Sequence, residues 1–293
     1  MASGDFTKTT MDKWLPEVWS PVATITYRAN TVFVPLLDHR WEPELGVGRG
    51  DVVNIPGFSQ NQRTDTNTRS TFGTGAALTF TVVTEGQTTL NVDKMAYHAW
   101  RMPVEMSLQT MKPYESLLME GVPQSLALQI DNYFASDGTD GIDAFTDIGA
   151  DNVDITDDVI LEGETNLNNV NAPLEDRWML ISPASRGSLM QIEVLRNQLF
   201  ANTVGNLSGA KGAGFLGKIY TLNVYMSNNL ETVTSGKRNA IFHREAIAIA
   251  VQQEVKIEKG LNIADGIFNE FVGYLVYGGV VVKSTFGRSV LGK

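Results

Sequence analysis

Three histidines, His39, His98 and His243, are the first residues in this sequence that could perform acid–base or metal chemistry. They lie far apart, and no two have the spacing that would place both on one face of a helix as metal ligands. His39 has Asp38 and Glu42 nearby, which allows a carboxylate–histidine pair, although an ordinary surface histidine explains the same pattern. Since the chain has no cysteine, thiolate sites, disulfides and cysteine nucleophiles are excluded. No serine-hydrolase or zinc-protease motif is present, so the sequence supports neither an enzyme nor a metal site.

A glycine-rich stretch is the second candidate for chemistry. Gly212, Gly214 and Gly217 match the dinucleotide-binding pattern GxGxxG, and Lys218 extends the stretch to a near match of the phosphate-binding GxxxxGK. Ile219, however, stands where a metal-binding Ser or Thr is required. Both motifs also need a helix directly after the loop, because the helix N-terminus supplies the anion site. Here the following residues alternate as a strand, which favours a surface loop and predicts no cofactor.

An acidic stretch at residues 137–143 (DGTDGID) is rich in oxygen ligands and turn formers, as calcium-binding loops are. It lacks the alternate-residue ligand spacing and the final glutamate of a helix–loop–helix calcium site. The more economical interpretation of residues 137–158 is a solvated acidic connection between domains.

The charge balance limits what the protein binds. The chain has 23 Lys and Arg against 33 Asp and Glu, which gives a net charge of -10. Proteins that bind nucleic acid tightly usually have a basic surface. The charge balance therefore argues against DNA as a tightly held ligand and is compatible with DNA as neighbouring cargo. The longest apolar run, residues 271–282, is too short to span a bilayer, so no membrane partner is expected. The start of the sequence shows no signal peptide.

The first third of the chain predicts two extensions. Residues 1–30, with Trp14 and Trp19 among prolines, fit an N-terminal arm whose tryptophans dock on a neighbour or on their own domain. Residues 31–37 (TVFVPLL) predict a strand. The stretch 60–75 is almost wholly polar and lies between extended runs, which is typical of a long projecting β-hairpin, with a surface loop as the alternative.

The remainder predicts a long helix and a mixed helix-and-strand region. Apolar residues recur every four positions over 107–135, which predicts a helix that Gly121 and Pro123 either kink or delay. After it we predict the following elements: helix 157–169, strand 177–182, a helix opening at Pro183 and reaching beyond Ile192, a glycine-rich loop 205–217, strand 218–227, a short strand 239–242, a strand or helix at 244–251, a β-rich run 271–282, and a strand or arm at 283–293.

Several stretches, in this order, are similar to those of the major capsid proteins of tailed bacteriophages, which have the Hong Kong 97 type fold. The stretches are residues 125–131 (SLALQID), 179–183 (MLISP), 217–228 (GKIYTLNVYMSN), 246–250 (AIAIA) and 274–282 (YLVYGGVVV). Each is weak alone, and their order along nearly the whole chain carries the resemblance. It implies an α+β fold with an N-terminal arm, a long hairpin (the E-loop), a spine helix with a peripheral domain, and an inserted α/β axial domain.

The resemblance also implies a domain organisation and a function. The domains would be the arm at 1–30, the strand and E-loop at 31–104 with its tip at about 60–75, the spine helix and peripheral domain at 105–150, the axial domain at 151–255, and the return to the peripheral domain at 256–293. Hexamers and pentamers of the chain would form an icosahedral shell around a double-stranded DNA genome, in the virion and, during assembly, in the host cytoplasm. An encapsulin-like shell around cargo protein is the alternative.

The resemblance implies partners and contact residues as well. The absence of a long N-terminal extension implies a separate scaffolding protein, and a portal and a decoration protein are further expected partners. The candidate contacts between subunits are aromatic or basic residues on the arm and the hairpin tip: Trp14, Trp19, Arg63, Arg69 and Phe72.

Overall fold

A computed structural model of the chain describes residues 31–44, 51–58, 85–109, 114–136, 139–192, 215–263 and 266–293. Within these ranges the helices are α1 (Val104–Gln109), α2 (Tyr114–Ser136), α3 (Asp157–Asn169) and α4 (Pro183–Leu189). The strands are β1 (Val52–Phe58), β2 (Glu85–Asn91), β3 (Lys94–Pro103), β4 (Thr146–Gly149), β5 (Arg177–Ile181), β6 (Phe215–Ile219), β7 (Leu222–Met226), β8 (Thr232–Val233), β9 (Gly236–His243), β10 (Ile247–Asn262), β11 (Phe268–Val281) and β12 (Gly287–Gly292).

These strands form three sheets. β1 and β2 pair as an antiparallel hairpin, and β10, β11 and β3 form an antiparallel sheet in that order. The third sheet has seven strands in the order β4-β12-β9-β5-β7-β6, with β8 paired to β9. Because β4 runs parallel to β12 and β5 parallel to β7, this sheet is mixed. The described residues therefore combine two antiparallel sheets and one mixed sheet with separate helices.

Helix α2 covers the three-stranded sheet. Its residues Val122, Leu126, Ile130 and Phe134 are buried, as the four-residue period predicts. Pro123 lies inside the helix and is exposed, so it interrupts the hydrogen-bond ladder without ending the helix. A side chain at Gly273 of β11 would clash with Val122, so this glycine lets the helix approach the sheet closely.

Helix α3 covers one face of the seven-stranded sheet, with Ile160 and Leu167 fully buried. It begins and ends at the predicted residues, since its apolar stripe follows the helical period. Gly163 faces the sheet, where an added Cβ would lie 2.7 Å from the side chain of Ile241. The opposite face of the sheet, including Leu180 and Phe242, packs towards α2 in a shared core.

The predicted strand at residues 31–37 is wrong. Val34–Leu36 form a 3₁₀ helix that begins with Pro35 in its first turn. The N–H groups of residues 32–34 all donate to one carboxylate oxygen of Asp131 in α2, at 3.1, 2.7 and 3.2 Å. Three successive N–H groups that converge on one acceptor cannot extend into a strand ladder, so the apolar run folds as a turn.

The single strand predicted at 218–227 is two strands. β6 and β7 pair with each other and are joined at Tyr220, whose φ of 51° fits a tight turn. The predicted glycine-rich loop ends earlier than expected, because Phe215 to Gly217 already belong to β6. Residues 205–214 lie outside the described residues.

The acidic connection predicted at 137–158 is wrong in its centre. Ile142, Phe145 and Ile148 are buried, and the segment holds a 3₁₀ helix (Ile142–Ala144) and strand β4. Asp143 and Asp147 each lie 2.7 Å from the guanidinium of Arg238, a side chain only 11% exposed. The carboxylates neutralise a buried cation, a pairing that the local sequence does not show.

Two further boundaries differ from the prediction, and two stretches follow one of the alternatives that it left open. Helix α4 ends at Leu189, before Ile192. The stretch 244–251 is a short 3₁₀ helix (Arg244–Ala246) followed by β10, and the 239–242 strand extends over all of β9. Residues 283–293 contain β12, which lies between β4 and β9 in the seven-stranded sheet. The predicted return range 256–293 thus contributes strands to both larger sheets, and the domain boundaries stay predictions.

Candidate assembly surfaces

The predicted contact residues Trp14, Trp19, Arg63, Arg69 and Phe72 all lie outside the described residues. Their role between subunits stays a prediction. The structure does describe the parts of the chain on which these segments are mounted, namely the anchor of residues 32–34 on Asp131 and the base of the β1–β2 hairpin.

The β1–β2 hairpin is apolar at its base and polar further out. Val53, Ile55 and Leu90 are buried against β10 alanines in a small core of their own. Beyond them, Gly57 pairs with Gly86 across the hairpin, and the Gln87 amide donates a 2.6 Å hydrogen bond to the side chain of Asn54. Asn54, Gly57 and Gln87 are exposed and carry no apolar side chain, and the projection of the hairpin from the fold stays a prediction.

A second exposed surface lies at the end of the β10–β11 hairpin. Leu261, Ile263 and Ile267 are 59%, 71% and 60% exposed, and we call these three residues the β10–β11 tip. Clustered apolar side chains on a strand hairpin are typical of a protein contact site. Our sequence reasoning missed the tip. The signal was available, because Asp265-Gly266 lies between two apolar runs and is a strong hairpin motif.

The outer face of the three-stranded sheet carries further exposed residues. Tyr97 of β3, Tyr274 of β11 and Lys256 of β10 are register neighbours across the sheet, and Met95 is also exposed. The ammonium of Lys256 lies 2.6 Å from the carboxylate of Glu258 on the same strand. The hydrogen bond to Glu258, and then its charge, raise the pKa of Lys256.

The residues singled out for chemistry do not assemble into a catalytic or metal site in the described part of the chain. His39 Nδ1 lies 3.3 Å from Glu42 and its Nε2 lies 3.1 Å from the Val34 carbonyl, while Asp38 pairs with Arg40 instead. Across the same residues, no group of three potential metal-ligating side chains occurs.

The possible phosphate loop fails its structural requirement. Gly212 and Gly214 lie outside the described residues, and Gly217 and Lys218 belong to β6. A turn and then β7 follow, so no helix N-terminus is placed after the glycines to bind an anion. Among the helices that the structure describes, none is long and apolar enough to cross a membrane.

His243 lies where β9 of the seven-stranded sheet passes into β10 of the three-stranded sheet. It is 5% exposed, and its Nδ1 accepts a hydrogen bond from the Glu245 N–H at 3.2 Å. Burial lowers the pKa of His243, and Lys283 and Arg177 lower it further, against the opposing charges of Glu245 and Asp176. Protonation of Nδ1 would remove this acceptor from the link between the two sheets.

We therefore expect acid to weaken the fold through His243. Because its folded-state pKa lies below the reference value of 6.5, its contribution to stability is complete above that pH. The contribution is lost as the pH falls from 6.5 through the lowered folded-state pKa. The check is urea unfolding of the unassembled subunit across this pH range. His243→Asn keeps an acceptor near the Nδ1 position, so its free energy of unfolding should fall less than that of the wild type as the pH drops below 6.5. An equal dependence of the free energy of unfolding on pH in both proteins would contradict the prediction.

Comparison with known proteins gives a fold match without close sequence relatives. No family model and no curated protein matches the sequence. A solved structure from Mycobacterium phage Che8 is 21% identical with a TM-score of 0.74, over 94% of this chain and 97% of that chain. The capsid of Cyanophage P-SCSP1u is 16% identical with a TM-score of 0.65, over 100% and 97% of the two chains.

The capsid of Myoviridae Phage XM1 is 13% identical with a TM-score of 0.65, over the full length of both chains. The likeness thus runs through both larger sheets, the helices and the hairpin rather than through one motif. This chain has the mixed helix-and-sheet capsid fold of tailed bacteriophages that its resemblance to the Hong Kong 97 type proteins implied.

Proposed function

We propose that this chain is the major capsid protein of a tailed phage. It self-assembles as hexamers and pentamers into an icosahedral shell around a double-stranded DNA genome. The observation that carries the proposal is the end-to-end match to a phage capsid subunit, which covers 100% of both chains.

The exposed surfaces of the subunit support assembly. The β10–β11 tip and the polar outer hairpin are elements that gain little from their own core and much from a neighbour. Rings of five or six subunits use head-to-tail contacts, in which one surface meets a different surface of the next copy. Obligate contacts of this kind bury on the order of 2,000–5,000 Å².

The negative charge of the chain fits a shell that encloses DNA better than a protein that binds DNA tightly. With a net charge of -10, the shell wall repels packaged DNA except where salt screens the charges, so the genome stays mobile. We include a separate scaffolding protein, a portal and a decoration protein as partners. The protein would be located in the host cytoplasm during assembly and in the virion afterwards.

An encapsulin-like shell around cargo protein is the second candidate. The three structures described above all come from phages, which favours the phage shell. The contents of purified particles separate the two: a phage shell takes up DNA through its portal, whereas an encapsulin copurifies with a cargo enzyme.

The experiment is electron microscopy of the full chain expressed with its scaffolding partner. We expect closed icosahedral particles built of hexamers and pentamers. Ile263→Asp/Ile267→Asp, which places two charges on the β10–β11 tip, should abolish closed particles because it desolvates carboxylates at the contact. Leu174→Asp changes an equally exposed leucine, 63% exposed in the segment before β5, and should leave assembly intact. A monodisperse wild-type monomer under all conditions would overturn the proposal.

A further inference from the structure

Two connections between the larger sheets run side by side. Residues 243–247 lead from β9 to β10, and residues 281–287 lead from β11 to β12. The N–H groups of Val282 and Lys283 both donate to the carbonyl of Ala246, at 2.9 and 3.2 Å. We call these two connections, hydrogen-bonded to each other, the sheet junction.

The Glu245 carboxylate is shared between two cations at the sheet junction. Its Oε2 lies 2.9 Å from the Nζ of Lys283 in the second connection, and its Oε1 lies 3.1 Å from the Nη2 of Arg40. The hydrogen bond from Lys283 lowers the pKa of Glu245 most, and the nearby positive charges lower it further against the opposing effect of burial. Glu245 is therefore ionised at neutral pH and joins three segments of the chain.

Both cations are exposed, and each has a second partner. The Lys283 and Arg40 side chains are 45% and 58% exposed. Arg40 is also bonded to the buried carboxylate of Asp38 at 2.7 Å, and the Lys283 ammonium lies 4.6 Å from the centre of the Phe286 ring. Exposed ion pairs contribute little to stability, because water and salt screen the charges. Glu245 can therefore leave either cation at a small cost in free energy.

His243 lies beside the same carboxylate, at the end of β9. Burial lowers the pKa of His243 most, so its ring is neutral at neutral pH. Among the charged groups around the ring, Lys283 and Arg177 also lower this pKa, whereas Glu245 and Asp176 raise it. The described residues give the neutral ring one hydrogen bond, in which Nδ1 accepts from the N–H of Glu245.

Protonation changes what the buried ring requires. A protonated Nδ1 can no longer accept from the Glu245 N–H and needs an acceptor of its own. Because a buried charge without a partner costs far more than an exposed ion pair contributes, the ring outcompetes Lys283 for a carboxylate. Of the two carboxylates that favour the protonated ring, Glu245 has a stronger effect than Asp176.

We propose that protonation of His243 draws the Glu245 carboxylate away from Lys283, so that acid loosens the sheet junction while both sheets stay folded. The switch lies within one subunit and goes beyond the proposed shell function. Its pH range follows from the two lowered pKa values. The junction is closed above pH 6.5, the reference value of His243, and it opens as the pH falls through the lowered pKa of His243 while Glu245, whose pKa lies below 4.5, stays ionised.

Hydrogen exchange of the full-length, unassembled subunit tests the switch. The N–H groups of Val282 and Lys283 report on the sheet junction, since both are bonded across it. We compare amide protection, corrected for the intrinsic exchange rate at each pH. Between about pH 7.5 and about pH 5, protection of residues 280–286 should fall about tenfold, whereas residues 126–134 of α2 should keep theirs.

Three variants separate the switch from an ordinary ion pair. Glu245→Gln cannot hold Lys283 as an ion pair, so residues 280–286 should be poorly protected at both pH values. His243→Asn does not titrate and should keep them protected at both. Glu258→Gln is the matched control, because it removes the exposed ion pair with Lys256 in the same sheet, and it should respond to pH as the wild type does.

Three results would overturn the switch. The first is unchanged protection of residues 280–286 in the wild type across the pH range. The second is an equal fall in His243→Asn, which would show that another group responds to acid. The third is an equal loss of protection in α2, which would show that the whole subunit unfolds. None of these results bears on the shell function, because the experiment uses subunits that have not assembled.

Discussion

Asp131→Ala is expected to destabilise the folded subunit by about 3–5 kcal/mol. The Asp131 side chain is fully buried, and one of its oxygens accepts hydrogen bonds from the N–H groups of residues 32–34. Its other oxygen accepts a 2.6 Å bond from the Asn229 amide, beyond strand β7. The substitution leaves buried donors without an acceptor, and each such donor costs about 1–3 kcal/mol. One carboxylate therefore connects α2, the exit of the N-terminal arm and the seven-stranded sheet.

Urea unfolding of the unassembled subunit measures this effect. Asp131→Asn is the matched control, since it keeps the shape of the side chain and one carbonyl oxygen that can accept from residues 32–34. Its amide group, however, would face the amide group of Asn229, and both groups are donors. The double variant Asp131→Asn/Asn229→Asp restores a donor–acceptor pair between the two side chains and should recover part of the loss. An alanine variant within about 1 kcal/mol of wild type would show that the contacts do not anchor the arm.

Gly278→Ala is expected to destabilise the subunit by more than about 4 kcal/mol, or to prevent folding. Gly278 of β11 lies against the turn between β2 and β3, where a Cβ would clash with the Asn91 carbonyl oxygen and lie 2.7 Å from the Val92 Cα. Both obstacles are backbone atoms, so no rotamer change relieves the overlap. The turn would have to separate from β11, and with it the base of the β1–β2 hairpin.

Gly260→Ala in β10 is the matched control for Gly278→Ala. It lies in the same hairpin, and a Cβ there meets no atom within 4 Å. We expect its free energy of unfolding to stay within about 0.5 kcal/mol of wild type, as is usual for exposed positions. Soluble yield and thermal denaturation of the two variants check the prediction, and equal thermal stability would contradict it.

The sequence predicted well those elements whose signal is local. The four-residue apolar period identified α2, and its stripe survives Pro123 because that residue faces solvent. Helix α3 matches its predicted bounds for the same reason. The absence of cysteine and the acidic balance limited the chemistry without any structural knowledge. The order of weak motifs was enough to predict the capsid fold.

Other features depend on partners distant in sequence. Residues 31–37 read as a strand because nothing nearby reveals that Asp131, about a hundred positions away, collects their N–H groups. The acidic stretch read as solvated because its partner Arg238 lies 91 positions beyond Asp147. Likewise, the sequence of β12 does not reveal its neighbours. Its place between β4 and β9 is set by strand pairing alone.

The amino-acid sequence by itself determined the helix-forming periods, the charge, the lack of thiol chemistry and, through the order of its motifs, the fold class. Only the tertiary structure decided which strands share a sheet, which carboxylates are used internally and which apolar residues, such as those of the β10–β11 tip, stay exposed. The physical reason is that propensity and periodicity act over a few residues. Strand pairing, burial and ion pairing depend instead on groups that meet only after the chain has folded.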